Sequence, residues 1–291
     1  MKPTTEIERP IGVFDSGIGG LTVFASISRL LPSESLLYLG DTARVPYGTR
    51  SAETVQRYAR AVADHLWGEG IKALVVACNT ATTYAIEVLS EAGALAGVPV
   101  LGVIKPGVKE AIAATRSGRV AVLGTDGTIN GGRYQAHLRA GGVEVEPLAC
   151  PLFVSLAEEG WTDGPIAKAV AERYLGELKS DPDTVILGCT HYPMLKGTIG
   201  EVLPGVTLID SAEATARALK EQLTALNLLS ASSSPGSHRF LVTDNLPRFI
   251  ANGEAFLGRT PEPAQVVDLK EPSGLFSRAF DTAAERRREL P

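Results

Sequence analysis

The sequence predicts an α/β protein made of two similar lobes, each with a mostly parallel sheet between helices. Short runs of β-branched and apolar residues alternate with segments of helical periodicity, which is typical of parallel sheets. Two markers in these runs recur at nearly the same spacing in both halves of the chain. With 291 residues, the chain is also long enough for two lobes with substantial cores.

The first series of elements begins with the buried run IGVF at 11–14. The helix predicted next, at 21–31, carries apolar residues at helical spacing and ends before Pro32. The same alternation then continues, with strands predicted at 35–39, 72–77 and 98–104 and helices at 49–67 and 80–92.

The second series starts near residue 106 and repeats the alternation. Helices are predicted at 106–115, 131–140, 165–178 and 211–223, and strands at 119–124, 143–148, 183–188 and 206–210. The segment GTDGTIN (124–130) is predicted to be a loop. Beyond a polar loop at 230–238, the segments 239–244 and 265–269 are predicted to add edge strands.

The spacing of two markers indicates that the second series is a diverged copy of the first. The strand IGVF leads into Asp15, and the strand VAVL leads into Gly124, 109 positions later (124 − 15). Cys78 and Cys189, each directly after an apolar strand, are 111 positions apart (189 − 78). This period is much longer than that of solenoid repeats, and it favours a duplicated αβ unit. We predict a first lobe at 9–104 plus 211–269, a second lobe at 105–210 and a polar C-terminal tail at 270–291.

Composition and charge exclude several classes of function. The net charge is −5, and the three arginines at 286–288 are flanked by glutamates, so we expect neither nucleic-acid nor membrane binding. We find no apolar core of a secretory signal and no uncharged run of about 18 residues or more that could span a membrane. Three cysteines do not suggest a disulfide framework, so we expect a reducing, cytoplasmic setting.

Two of the three cysteines lie where an α/β fold binds its ligands, beyond the carboxyl ends of strands. If two similar lobes face each other, Cys78 and Cys189 can approach one ligand from opposite sides. The alternative is that each is simply a small buried apolar residue. Cys150, which precedes Pro151 and lies outside the repeated pattern, is interpreted as structural.

The chemistry that uses both thiols is two-base proton transfer. A nucleophilic cysteine would leave the second thiol redundant, zinc would need three or four ligands, and the C-x-x-C redox motif is absent from the sequence. In a two-base reaction, one thiolate removes a proton from carbon while the other thiol donates one to the opposite face. An ordinary thiol pKa of about 8.5 suits both roles. A non-enzymatic ligand-binding protein remains the alternative, because two-lobed α/β folds also act as ligand clamps.

Three further segments are candidates for the site. The turn DSGIGG (15–20) precedes a helix whose N–H groups could bind an anion, and Asp15 suits either a ligand ammonium, a thiol or a helix cap. The segment GDTARVPYG (40–48) is either a surface turn or part of the site. Asn79 and Thr80 begin a helix and are either anion contacts or caps.

Taken together, these motifs resemble the glutamate racemases of the aspartate/glutamate racemase superfamily. The resemblance covers approximately residues 10–225 and is carried by DSGIGG, GDTARVPYG, ACNTAT, CPLFVSLAEEG and LGCTHYP. It implies an isomerase that interconverts L- and D-glutamate without metal or organic cofactor and supplies D-glutamate for peptidoglycan. It also implies a small-molecule substrate and allows a homodimer. A racemase for aspartate or another acidic amino acid is the alternative.

The resemblance also implies roles for individual residues. It makes Cys78 and Cys189 the catalytic pair, assisted by Asp15 on the Cys78 side and by His191 on the Cys189 side. Glu158 matches a further assisting carboxylate, although Glu159 lies next to it. The implied substrate contacts are Asp15, Ser16, Tyr47, Gly48, Asn79, Thr80, Thr190 and His191.

Overall fold

The computed structural model describes residues 6–269, so the predicted tail at 270–291 lies outside the described residues. The strands are β1 (Ile11–Asp15), β2 (Leu36–Gly40), β3 (Ala73–Val76), β4 (Val100–Gly102), β5 (Arg119–Gly124), β6 (Glu144–Ala149), β7 (Thr184–Gly188), β8 (Thr207–Asp210), β9 (His238–Val242) and β10 (Ala264–Val266). The helices are α1 (Leu21–Leu30), α2 (Ala52–Gly68), α3 (Asn79–Ala96), α4 (Ile104–Ala114), α5 (Asp126–Asn130), α6 (Arg133–Ala140), α7 (Leu152–Glu158), α8 (Gly164–Leu175), α9 (Lys196–Val202), α10 (Ser211–Ala225) and α11 (Leu246–Leu257).

Within residues 6–269, these strands form two parallel sheets, which confirms the predicted fold class. One sheet has the order β10-β9-β2-β1-β3-β4, and the other has the order β6-β5-β7-β8. We call each sheet with the helices packed on it a lobe, the first being the six-stranded one. The residue boundaries predicted for the two lobes stay a prediction.

The two lobes share one strand order and one register. The order β2-β1-β3-β4 in the first lobe recurs as β6-β5-β7-β8 in the second. Phe14 of β1 pairs with Val76 of β3, and Leu123 of β5 pairs with Leu187 of β7. Cys78 lies two residues after Val76, and Cys189 lies two residues after Leu187. The matched spacing in the sequence therefore corresponds to matched positions in the two sheets.

The hydrophobic core explains why the sequences of the central strands are continuous apolar runs. Helices cover both faces of each sheet, so every residue of β1, β3 and β7 is buried. One core cluster extends through both lobes, and smaller clusters lie on the outer face of each sheet. Helix α10 packs against α1 of the first lobe and α4 of the second, and so joins the two lobes.

Several local predictions were wrong. The predicted loop GTDGTIN contains the short helix α5, which Thr125 caps by accepting the N–H of Thr128 at 3.3 Å. The segment at 239–244 was predicted as an edge strand, but β9 lies inside the sheet because β10 pairs with its outer side. Helices α7, α9 and α11 were not predicted. Helix α11 begins at a cap, since Asn245 accepts the N–H of Arg248 at 3.3 Å.

Within residues 6–269, the structure contains no helix with the length and apolar character that crossing a membrane requires.

Candidate active site

A cavity of about 210 Å³ opens between the lobes, at the carboxyl ends of the strands. Both Cys78 and Cys189 line it. The other predicted site residues also line it, except Asp15 and Glu158. Asp15 interacts with the backbone of the lining residue Ser16, and Glu158 contacts the lining residue His191. The lining residues are Ser16, Val45, Pro46, Tyr47, Gly48, Thr49, Cys78, Asn79, Thr80, Thr125, Asp126, Thr128, Pro151, Val154, Ser155, Cys189, Thr190 and His191.

Cys78 lies between β3 and α3, at the N-cap position of the helix. Its sulfur accepts the N–H of Ala81 at 3.4 Å and lies 3.5 Å from the hydroxyl oxygen of Ser16. Burial raises the pKa of the Cys78 thiol to about 12, and the negative charge of Asp15 acts in the same direction. The protonated form of Cys78 is therefore favoured in this site.

Asp15 ends β1 and is completely buried. Its Oδ2 accepts the N–H of Gly17 at 2.9 Å, and a Cβ atom on Gly20 would lie 2.8 Å from its carboxyl carbon. The glycine-rich turn therefore lets the start of α1 close over this carboxylate. Burial raises the pKa of Asp15, while the charge of His191 and the N–H of Gly17 oppose this shift.

On the opposite side of the cavity, Cys189, His191 and Glu158 form a chain of contacts. Nδ1 of His191 lies 3.7 Å from the sulfur of Cys189, and Nε2 of His191 lies 3.2 Å from Oε1 of Glu158. Burial lowers the pKa of His191, but its contacts with Cys189 and Glu158 outweigh burial and raise the pKa to about 10. The hydrogen bond with His191 in turn lowers the pKa of Glu158. The charged imidazolium form of His191 is therefore favoured, with the sulfur of Cys189 on one side and the carboxylate of Glu158 on the other.

The first turn of α1 holds Cys189 and its neighbours against the first lobe. The hydroxyl of Thr22 donates to the carbonyl oxygen of Thr190 at 3.1 Å. Gly19 permits this approach, because a Cβ atom there would lie 2.5 Å from Nδ1 of His191 and still closer to the hydroxyl of Thr190. Thr190 itself places Oγ1 3.4 Å from Nδ1 of His191.

At the start of α3, Asn79 and Thr80 present polar groups to the cavity. Oδ1 of Asn79 accepts the hydroxyl of Tyr134 at 2.8 Å, while its buried Nδ2 has no hydrogen-bond partner among the described residues. The hydroxyl of Thr80 lies 2.9 Å from that of Thr125 and 3.2 Å from that of Thr128, so three hydroxyls link the lobes. Among the described residues, Asn79 therefore lines the cavity with an amide whose N–H donor has no protein partner.

The segment 40–48 is part of the site rather than only a surface turn. The hydroxyl of Tyr47 donates to the buried carboxylate of Asp41, so Tyr47 offers the cavity its ring and backbone rather than its hydroxyl. The carbonyl oxygen of Gly48 accepts the N–H of Gly127 at 2.8 Å. A Cβ atom on Gly48 would lie 2.9 Å from Cβ of Thr125, so this contact between the lobes needs a glycine.

Several residues of the site were not predicted from the sequence. Thr125 and Thr128 line the cavity, and Thr125 follows Gly124 as Ser16 follows Asp15, so the repeat itself contained this signal. Phe256 of α11 packs its ring 5.3 Å from that of His191, and no sequence motif indicated this contact. Cys150 is fully buried and lies outside the cavity lining, as a structural residue would.

The cavity lining combines neutral donors with a cation, the charged form of His191, and a carboxylate, that of Asp126. Among the described residues that line it, none is lysine or arginine. The N-terminal end of α3 lies at the cavity, because Asn79 and Thr80 line it, and helix N-termini favour negative charge. Across the described part of the chain, His, Cys, Asp and Glu side chains do not gather in groups of three or more that could hold a metal ion.

Comparisons with known proteins identify relatives over most of the chain. The family model for Asp/Glu/Hydantoin racemase matches residues 11–219. A glutamate racemase of Geobacter metallireducens is 51% identical over 254 residues, which cover 86% of this chain and 93% of the relative. The crystal structure of glutamate racemase from Thermus thermophilus in complex with beta-chloro-D-alanine superposes with a TM-score of 0.84 at 45% identity, covering 92% of this chain and 100% of that one.

A second crystal structure, glutamate racemase from Francisella tularensis in complex with D-glutamate, also gives a TM-score of 0.84. Its sequence is 38% identical, and the match covers 91% of this chain and 99% of that one. The identity, the coverage and the shared fold agree with the two facing cysteines at matched strand ends. The chain therefore belongs to the Asp/Glu/hydantoin racemase family and, within it, to the glutamate racemases.

Proposed function

We propose that the chain interconverts L- and D-glutamate by two-base proton transfer between the α-carbon and the thiols of Cys78 and Cys189. The observation that carries this proposal is that both thiols, from matched strand ends of two lobes, line one cavity. At about 210 Å³, this cavity is smaller than the range of about 300–1,000 Å³ typical of sites for drug-sized ligands, which favours a small substrate.

The two sides of the cavity suit opposite roles. Cys78 is held as a thiol by burial and by the nearby Asp15, so it is ready to donate a proton. Cys189 lies next to His191, whose pKa is raised to about 10 partly by this contact, so a cation stands beside the second thiol. In the L-to-D direction, the Cys189 thiolate removes the α-proton and the Cys78 thiol donates one to the opposite face. In the D-to-L direction the roles reverse.

The same cavity offers donors that would stabilise the carbanionic transition state. The α-proton of an amino acid is a weak acid, so negative charge that develops on the carboxylate has to meet preorganised donors. The free Nδ2 of Asn79 and the hydroxyl of Thr80 lie at the start of α3, where the helix dipole adds to their effect. Ser16, Tyr47, Gly48 and Thr190 complete the proposed substrate contacts.

Further parts of this proposal concern the setting of the enzyme. Because the mechanism needs both thiols reduced, we place the protein in the cytoplasm, where D-glutamate would enter peptidoglycan synthesis. The proposed reaction uses neither a metal nor an organic cofactor, and the proposed partner is the substrate, with a homodimer as the assembly.

The experiment that tests the proposal follows the α-proton of L- and D-glutamate by NMR in D₂O, without added cofactor. Wild type is compared with Cys78→Ser, Cys189→Ser and the control Cys150→Ala. We expect wild type and the control to exchange the proton and invert the centre, and each serine variant to lose racemisation. Retention of activity in either serine variant would refute the two-thiol mechanism. Exchange of aspartate instead of glutamate would refute the substrate assignment alone.

A further inference from the structure

Helix α11 lies in the first lobe but presents one of its faces to the catalytic groups of the second. Its other side is anchored, since the buried Phe249 packs its ring 5.9 Å from that of Tyr38 and 6.4 Å from that of Phe240. The residues 248, 252 and 256 are four positions apart, so they share a single face of the helix. All three contact the Glu158–His191 pair.

The three contacts differ in chemistry but converge on the same two residues. The guanidinium of Arg248 lies 3.5 Å from Oε2 of Glu158, and Nδ2 of Asn252 donates to the backbone carbonyl of Glu158 at 3.2 Å. The ring of Phe256 meets the ring of His191 edge to face, with centroids 5.3 Å apart and planes at 78°.

We propose that this face of α11, through Arg248, Asn252 and Phe256, is a positioning element that sets the geometry of the Glu158–His191 pair. Glu158 is the last residue of the short helix α7, so its own helix fixes its side chain little. Its two carboxylate oxygens are held by different partners, Oε1 by His191 and Oε2 by Arg248. Arg248 thus turns the carboxylate so that Oε1 faces Nε2 of His191, and Nδ1 of His191 then faces Cys189.

The inference rests on the proposed function, because it concerns the group that assists Cys189. A purely structural role for Arg248 is the competing explanation. Its side chain is 55% exposed and also lies 3.9 Å from Glu159, and exposed ion pairs contribute little to stability. The two explanations differ in what they predict for the pH profile, since only a positioning role connects Arg248 to the ionisation of the Glu158–His191 pair.

Among the described residues, several charged or titratable groups face the Glu158–His191 pair. Glu158 is faced by His191 and by Arg248, and Arg248 is also faced by Glu159. His191 is further faced by Cys189 and Asp15. Hydrogen bonding to His191 is the main cause that lowers the pKa of Glu158, and the charge of Arg248 adds to it. Loss of that positive charge therefore raises the pKa of Glu158.

The test compares Arg248→Gln and Arg248→Lys with the control Arg239→Gln. Arg239 forms an ion pair with Glu69 at 3.2 Å that is similarly exposed, but it contacts no residue of the site. For Arg248→Gln we expect kcat to fall about twofold to fivefold. We also expect the acid limb of kcat/KM to move to higher pH by about 0.3 to 0.7 units, a shift that matches the strength of an exposed ion pair. Arg248→Lys should restore the acid limb because it keeps the charge.

A second variant, Asn252→Ala, removes a neutral contact, so it should lower kcat without moving the acid limb. Melting temperatures of all variants report any loss of stability separately. If Arg248→Gln matches Arg239→Gln in kcat and in its pH profile while wild type is active, the positioning role is refuted and the proposed function stands. A wild type that fails to racemise glutamate would overturn both.

Discussion

Gly19 offers a sharp test of how the first lobe positions Thr190 and His191, the proposed site residues of the second lobe. In a Gly19→Ala variant, the new methyl group would lie 2.5 Å from Cε1 and Nδ1 of His191 and closer still to the hydroxyl of Thr190. Carbon contacts become favourable only near 3.5 Å, so the imidazole would have to retreat by about 1 Å. Since Nδ1 of His191 already lies 3.7 Å from the sulfur of Cys189, this movement would disrupt their contact.

The expected result is a large loss of activity in a folded protein. A displacement of about 1 Å at a reacting group costs on the order of 100-fold in rate, whereas overpacking destabilises by about 1–3 kcal/mol. Gly19 lies outside the left-handed region of backbone conformation, so the alanine adds no backbone strain. The loss of activity should therefore come from the displaced side chains.

The matched control is Gly17→Ala in the same turn, because its methyl group would lie 3.4 Å from the nearest atom, Cγ2 of Val45. We expect that variant to keep its activity within a few fold and its stability close to that of wild type. The assay measures kcat and KM for both enantiomers by circular dichroism, with thermal unfolding as the check on folding. Because enantiomers have equal free energies, kcat/KM must agree in the two directions. Equal kcat values for the Gly19 and Gly17 variants would refute the steric argument.

Three further predictions address ionisation, substrate binding and the third thiol. In Glu158→Gln the pKa of His191 should fall, because the contact with the Glu158 carboxylate helps to raise it. The imidazolium is then lost at lower pH, so the alkaline limb of kcat in a pH–rate profile should move to lower pH. Tyr134→Phe removes the donor to Oδ1 of Asn79, so KM for glutamate should rise about 2- to 10-fold with a smaller change in kcat, and an unchanged KM would contradict a binding role for this amide. Cys150→Ala should keep racemase activity within about twofold and lower the free energy of unfolding by about 1 kcal/mol in urea titrations. This buried thiol lies outside the cavity, packs in the core and donates one weak hydrogen bond, to the carbonyl oxygen of Leu148 at 3.8 Å.

The sequence was sufficient to predict the strands and the positions of both lining cysteines. The central strands are buried on both faces, so their apolar runs are short, continuous and followed by turns, a pattern that local residues determine. Because parallel strands carry their ligand sites at the carboxyl ends, Cys78 and Cys189 could be expected at one cavity once the repeat was recognised. The spacing of the repeat suggested a role for the two cysteines, whereas the roles expected of the assisting and substrate-binding residues came from family resemblance.

The missed features depend on contacts between segments far apart in the chain. Helix α5 is fixed partly by the bond from the Gly127 N–H to the Gly48 carbonyl of the other lobe, which no local pattern reveals. The hydroxyl of Tyr47 is occupied by Asp41, which changes what a tyrosine at that position can offer a ligand. Phe256, whose ring packs against that of His191, lies beyond approximately residue 225, where the resemblance carried by the motifs ends.

In the proposed mechanism, the repeat also explains how two matched thiols can take different roles. If both had the same surroundings, both would ionise alike, and a two-base reaction would then lack either its acid or its base. The assisting groups break this equivalence, because Asp15 corresponds to Gly124 in the other lobe and His191 corresponds to Thr80. Asp15 raises the pKa of Cys78, whereas His191 in its charged form places a cation beside Cys189. The duplicated fold thus accounts for two thiols at one cavity, and the differences between its copies give the two thiols the unequal surroundings that the proposed mechanism uses.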